Sequence, residues 1–130
     1  MARADGHPLT ALVVDDNEVT RKLIGALMRR LGYQVADARD GIEAVSAVAA
    51  SDFDCILMDI DMPRMTGLEA TRVIRSMPGK AAQVPIIAVT ARTRPEEVDE
   101  CRDAGMDGHL GKPVVATDLD STLMRTLHHR

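Results

Sequence analysis

Residues 55–70 read CILMDIDMPRMTGLEA, and the fold is decided there. The first four residues are apolar without alternation, the pattern of a short strand covered on both faces. Asp59 ends the run. Thr66-Gly-Leu-Glu69 has the S/T-x-x-E form of a helix capping box, and Leu68, Thr71 and Ile74 follow at helical spacing. A buried strand that hands over to an amphipathic helix is one α/β unit, and the rest of the chain repeats it.

Further apolar runs lie at 11–14 (ALVV), 33–38 (YQVADA), 86–89 (IIAV) and, most weakly, 108–111 (GHLG). The second alternates more than the others, which suits a strand nearer a sheet edge. Helical patterns fill the intervals. Val19, Leu23, Leu27 and Leu31 recur every four residues, with Ile24 and Met28 widening the stripe. Asp40 is the predicted N-cap of a helix carrying Ile42, Val45 and Ala49, with Glu43 at its third position. Pro95 opens a helix with Val98, Cys101 and Ala104, and a last helix runs from about Thr117 through Leu119, Leu123 and Leu127. Gly32, Gly79 and Gly105 are predicted helix stops. Five strands alternating with five helices imply right-handed crossovers and a parallel sheet with helices on both faces. The expected domain covers 10–130, after an extension at 1–9.

The composition excludes several function classes. A chain of 130 residues is one domain by length, and 45% apolar content supplies a core. The net charge is −4, and Tyr33 and Phe53 are the whole aromatic inventory, so neither the basic footprint nor the stacking platforms of a nucleic-acid binder are present. Cys55 and Cys101 stand far apart with no C-x-x-C, which argues against a zinc site or a disulfide framework. No apolar run approaches the roughly 20 residues of a membrane span. The expected location is the cytoplasm, with no direct contact to membrane or nucleic acid.

In an open parallel sheet, ligands sit beyond the carboxyl ends of the strands. Those ends present Asp15-Asp16, Asp59, Thr90 and Lys112-Pro113. Three carboxylates on one rim repel one another unless a cation shares the site. Oxygen donors without Cys or His suit a hard ion, and Mg2+ binds through one or two carboxylates plus a phosphate. Lys112 adds a positive charge for phosphoryl oxygens, and Thr90 adds a hydroxyl donor. Asp59 stands at the middle of the rim and is already ionised at neutral pH, with a reference pKa of about 4. Phosphoryl transfer rests on positioning and charge neutralisation, so this carboxylate can serve as the nucleophile and form an acyl phosphate.

VVDDN (13–17), LMDIDMPRMTGLEA (57–70), VTA (89–91) and GKP (111–113) together resemble the response-regulator receiver domain of two-component signalling. The resemblance runs from about Leu12 to the last helix. It implies a flavodoxin-like (βα)5 fold with strand order 2-1-3-4-5, and a phosphoryl group taken from a phosphohistidine on a histidine kinase or histidine-phosphotransfer protein. By position, Asp59 would be the phosphoacceptor. Asp15 and Asp16 would bind Mg2+, with Asp16 ahead as direct ligand, and the Asp61 backbone carbonyl would be a further ligand. Thr90 would be the switch hydroxyl and Lys112 the phosphoryl contact, aimed by a cis Lys112–Pro113 peptide. The family carries an aromatic residue three positions before this lysine. Here that position is His109, whose imidazole would have to take over the gating rotation.

Around this reading stand several lesser expectations. Arg92 would overlook the site, and Val19, Val114 and Val115 would form an apolar patch receiving the donor helix. His7, His128 and His129 read as solvated terminal residues. The wording of 58–67 and 104–108 resembles receivers appended to hybrid sensor histidine kinases. The isolated domain, a monomer or weak dimer, would not be an enzyme beyond hydrolysing its own aspartyl phosphate. The rival is a haloacid-dehalogenase-like phosphatase using Asp59 and Asp61 as nucleophile and acid. Met62-Pro63 and the short chain count against it.

Overall fold

A computed structural model describes residues 6–128; His129, and with it part of the terminal expectation, lies outside the described residues. The strands are β1 (Thr10–Val14), β2 (Gln34–Ala38), β3 (Cys55–Asp59), β4 (Ile86–Thr90) and β5 (Gly108–Gly111). The helices are α1 (Glu18–Arg30), α2 (Gly41–Ala50), α3 (Gly67–Arg75), α4 (Pro95–Ala104) and α5 (Ala116–His128). All strand pairings are parallel and the order is β2-β1-β3-β4-β5, as expected. A short 3-10 turn, Gly79–Gln83, was not expected. Gly79 opens that turn instead of ending α3, which stops at Ser76.

Every residue of β3 and β4 is buried, because both sheet faces are covered. One core lies under α2, α3 and α4 and holds Leu12, Val14, Ile56, Met58, Ile86 and Ala88. The other lies under α1 and α5 and holds Ala11, Val13, Leu57, Ile87 and Val89. The helix starts follow the sequence reading. The Asp40 side chain accepts from the Glu43 amide at 2.9 Å. Thr66 and Glu69 complete a reciprocal capping box at 3.2 and 3.0 Å, and Pro95 occupies the first turn of α4.

The helix faces differ from expectation. In α1 the buried residues are Ile24, Gly25 and Met28, while Val19 is 77% and Leu23 48% exposed. In α2 the buried face is Gly41, Ala44 and Val48, and Ile42 is exposed. Gly41 faces inward there because the helix starts close against Met65 of the β3–α3 loop.

Below the sheet, Arg75 at the end of α3 ties four segments together. Its Nε donates to the Gly105 carbonyl at 2.9 Å, and Nη1 donates to those of Ala82 and Val84 at 3.0 and 2.7 Å. Nη2 pairs with Asp107 at 2.8 Å, whose Oδ2 also accepts from the Ile86 amide. Only a planar guanidinium presents donors in so many directions. Arg75→Ala is therefore expected to lose about 2 kcal/mol in urea unfolding, with Arg75→Lys recovering less than half. An unchanged unfolding midpoint for the alanine variant would refute this.

Candidate functional site

The strand register levels the carboxyl ends. Val14 pairs with Met58, Asp59 with Val89, and Thr90 with Gly111. Asp15, Asp59, Thr90 and Lys112 therefore arrive at one rim. Asp15, Asp16 and Asp59 each bring a carboxylate oxygen within 4.8 Å of the others. Asp15 and Asp59 are buried, at 0% and 3% exposure, whereas Asp16 faces solvent.

Backbone contacts hold the acid pair. The Asp15 amide donates to the Ala38 carbonyl at 3.1 Å, and Asp15 Oδ1 accepts from the Asn17 amide at 2.9 Å. Arg21 was not singled out from sequence. Its Nη1 donates to the Asp15 carbonyl at 2.9 Å while its Nε pairs with Asp37 at 3.0 Å. A position one turn into the helix after an acid pair is the only sequence signal for such a role.

Lys112 bridges the two buried acids, with Nζ 3.1 Å from Asp15 Oδ2 and 3.1 Å from Asp59 Oδ1. Only the contact with Asp59 is aligned as a hydrogen bond. Asp15 Oδ2 is thus buried and charge-paired, yet accepts no hydrogen bond. The Lys112–Pro113 peptide is cis. Burial pushes the Asp59 carboxyl up to about 6, with the Asp15 charge adding to it and Lys112 opposing it. Burial alone would lower the Lys112 ammonium, but the two carboxylates outweigh it and hold it above its ordinary value. One ammonium therefore leaves the acids incompletely neutralised. Three carboxylates, one with a buried oxygen that accepts no aligned hydrogen bond, fit a hard divalent ion.

The remaining expected residues form a second layer. Thr90 is buried, and its Oγ1 accepts from the Arg92 amide at 3.0 Å. His109 Nε2 lies 3.0 Å from the Arg92 carbonyl, an arrangement in which the ring N–H donates. Arg92 Nε pairs with the Asp61 carboxylate at 2.9 Å, and Nη1 reaches Glu97 at 3.6 Å. The Asp61 carboxylate is thus turned to Arg92 and does not join the acid cluster. The rival phosphatase reading, which needs Asp61 as general acid beside Asp59, finds no support in this arrangement. The apolar patch is also corrected. Val114 is buried in the core under α5, leaving Val19 and Val115 (50% exposed) as its exposed residues. Cys55 and Cys101 are buried free thiols. Among the described residues no helix is long and apolar enough to cross a membrane.

Comparison with known proteins agrees with this fold. The family described as the response regulator receiver domain matches residues 11–124. The chain is 36% identical over 122 residues to the sensor histidine kinase RcsC of Escherichia coli strain K12, covering 94% of this chain but 12% of RcsC. It therefore spans a small fraction of the curated relatives it matches. Among solved structures it resembles the receiver domain of sensor histidine kinase PA1611 from Pseudomonas aeruginosa PAO1, described with magnesium coordinated in its active-site cleft. The TM-score is 0.84 and the identity 38%, over 92% of this chain and 98% of that one. It also resembles the Vibrio cholerae chemotaxis protein CheY4, with TM-score 0.85 and 34% identity over 92% and 98% of the two chains.

Proposed function

The chain belongs to the response regulator receiver domain family, and from that premise we propose that Asp59 is its phosphoacceptor and that Asp15, Asp16 and the Asp61 carbonyl join Asp59 in holding Mg2+. The observation that carries this reading is the group of three carboxylates within 4.8 Å, two of them sharing one lysine. When bound, the ion supplies the positive charge that lets an anionic phosphoryl group approach an anionic nucleophile.

An Asp59 carboxylate oxygen attacks the phosphorus, the bond from phosphorus to the donor's imidazole nitrogen breaks, and the departing imidazole takes a proton from solvent. The products are an aspartyl phosphate and a free histidine. Lys112, already between Asp15 and Asp59, turns to the new phosphoryl oxygens. The Thr90 hydroxyl moves toward them and gives up the Arg92 amide it now accepts from. The Arg92 carbonyl is bound to His109, so this release reaches β5 and biases the surface of α4, β5 and α5 between two states. His109 thus serves as the partner of the switch loop in place of an aromatic ring.

The donor is a histidine kinase or histidine-phosphotransfer protein, and its helix docks over Val19 and Val115 beside the acids. The parent of this domain is a hybrid sensor histidine kinase, in keeping with the similarity to RcsC.

Incubation with acetyl phosphate and Mg2+ is expected to add one phosphoryl group, labile to hydroxylamine, and no uptake is expected when EDTA is present from the start. Asp61→Ala is expected to keep that uptake and to show no phosphate-ester turnover. A label that resists hydroxylamine would overturn the acyl-phosphate reading. Catalytic ester turnover that vanishes in Asp61→Ala would favour the phosphatase.

A further inference from the structure

The loop between β3 and α3, residues 60–66, carries the Asp61 carbonyl assigned above to the metal, and the inference below rests on that assignment. The loop is anchored at both ends. At its base the Gly67 amide donates to the Ile60 carbonyl at 2.9 Å. At its tip the Arg64 guanidinium pairs with the Asp40 carboxylate. Beside that pair, Met65 packs so closely on α2 that a Cβ built on Gly41 would stand 2.7 Å from the Met65 carbonyl oxygen.

Two features single out Arg64. Among the described residues it is the non-glycine residue with positive φ, at 68°. A side chain with a Cβ holds that conformation only where its surroundings over-determine it. Its partner Asp40 is 2% exposed, and the Glu43 amide and then Arg64 hold the Asp40 carboxyl below its ordinary value. Asp40 Oδ1 is occupied as the α2 cap, so Arg64 supplies the charge that Oδ2 faces. The Arg64 side chain is 64% exposed, so the residue can be changed without opening a core.

We infer that Arg64 is a positioning residue for the divalent-ion site: through Asp40 it straps loop 60–66 to α2 and thereby presets the Asp61 carbonyl for the metal. The strap contacts neither the ion nor the acids. It acts by lowering the ordering that ion binding must otherwise impose on the loop.

The test is Mg2+ titration by calorimetry on the full chain, as parent, Arg64→Gly and Arg64→Lys, with amide hydrogen exchange at Met65 and Gly67 in metal-free buffer. Glycine accepts the positive φ without strain, so a weaker Mg2+ affinity in this variant reports loss of the strap and not a strained backbone. Expected are about fivefold weaker Mg2+ binding for Arg64→Gly, an intermediate value for Arg64→Lys, and faster loop exchange in the same order. Parent-like Mg2+ affinity in Arg64→Gly overturns the proposal, whether or not exchange accelerates, since the strap would then be structural only. A parent that binds no Mg2+, or binds it equally well as Asp15→Asn, overturns the metal reading together with this one. The parent measurement tells the two failures apart.

Discussion

Asp59→Asn is expected to abolish phosphoryl uptake and, in metal-free buffer, to make the protein more stable. The two effects have one origin. The Asp59 carboxyl is buried beside Asp15, and its ordinary value of 3.8 is pushed up to about 6 despite Lys112. A carboxyl raised in the folded state holds its proton there more tightly than in the unfolded chain. Stability is then fully present below pH 3.8 and is lost as pH rises through about 6. With screening at the rim, the loss is on the order of 2 kcal/mol at neutral pH. Asparagine keeps the shape and an oxygen for Lys112, but carries no charge. Its unfolding free energy should exceed the parent's by that amount at pH 7.5 and match it near pH 4. The difference between the two curves should develop between pH 4 and 6, because the other acids cancel. Added Mg2+ should stabilise the parent more and close the gap. Thermal melts across pH, with and without Mg2+, together with acetyl phosphate labelling, check every part. Parent-like labelling of Asp59→Asn, or a stability gap that does not change with pH, would defeat the assignment.

The acid rim was legible before any coordinates because it depends on strand ends. A short apolar run with turn signals on either side reads as a strand covered on both faces, and in a parallel sheet the carboxyl ends of the strands share one rim. Once Ala11–Val14, Cys55–Met58 and Ile86–Val89 were strands of one parallel sheet, Asp15, Asp59 and Thr90 shared one rim, and the strand order implied by the family resemblance made them neighbours. Helix faces were less legible for a geometric reason. Residues four apart advance about 400° around a helix, so a stripe such as Val19, Leu23, Leu27, Leu31 drifts about 40° at each step. The stripe begins in solvent at Val19, and the face that meets the sheet is centred on Ile24 and Met28. In α2 the spacing points to Ile42, Val45 and Ala49, but the buried face is Gly41, Ala44 and Val48, with Gly41 set against Met65 of the loop.

The arginine contacts were the least legible. Arg21, Arg64, Arg75 and Arg92 each join segments distant in sequence. With 16 basic and 20 acidic residues available, no local pattern chooses among the pairings. Yet all but that of Arg75, which lies at the other end of the sheet, surround the legible rim. Arg21 touches the backbone of Asp15, and Arg92 holds the side chain of Asp61. The strand ends thus dictate which groups meet, and long-range side chains dictate how firmly each is held.

Gly67→Ala is expected to be the most destabilising single-methyl change near the site. From sequence, Gly67 was an unremarked member of the capping box. In the fold, a Cβ at that position would lie 2.1 Å from the Asp59 carbonyl oxygen and 3.0 Å from both its carbonyl carbon and the Ile60 Cα. All three are backbone atoms, so no flexible side chain can swing aside. Either the end of β3 or the start of α3 must move, and the Gly67–Ile60 hydrogen bond moves with them. The cost should be about 4 kcal/mol, and the melting temperature should fall by roughly 10 °C or more. The shift also displaces the backbone of Asp59, so Mg2+ binding and phosphoryl uptake should fall even at temperatures where the variant is folded. Gly25→Ala is the matched control. Its Cβ would meet the side chains of Arg29 in α1 and Val35 in β2 at 3.5 and 3.6 Å, ordinary contact distances. The same methyl there should be neutral or stabilising by up to about 1 kcal/mol. Calorimetric melts of both variants decide the matter, since steric conflict with the strand end requires opposite signs at the two glycines. Equal melting temperatures for Gly67→Ala and the parent would mean that the close approach of α3 to Asp59 does not constrain the acceptor.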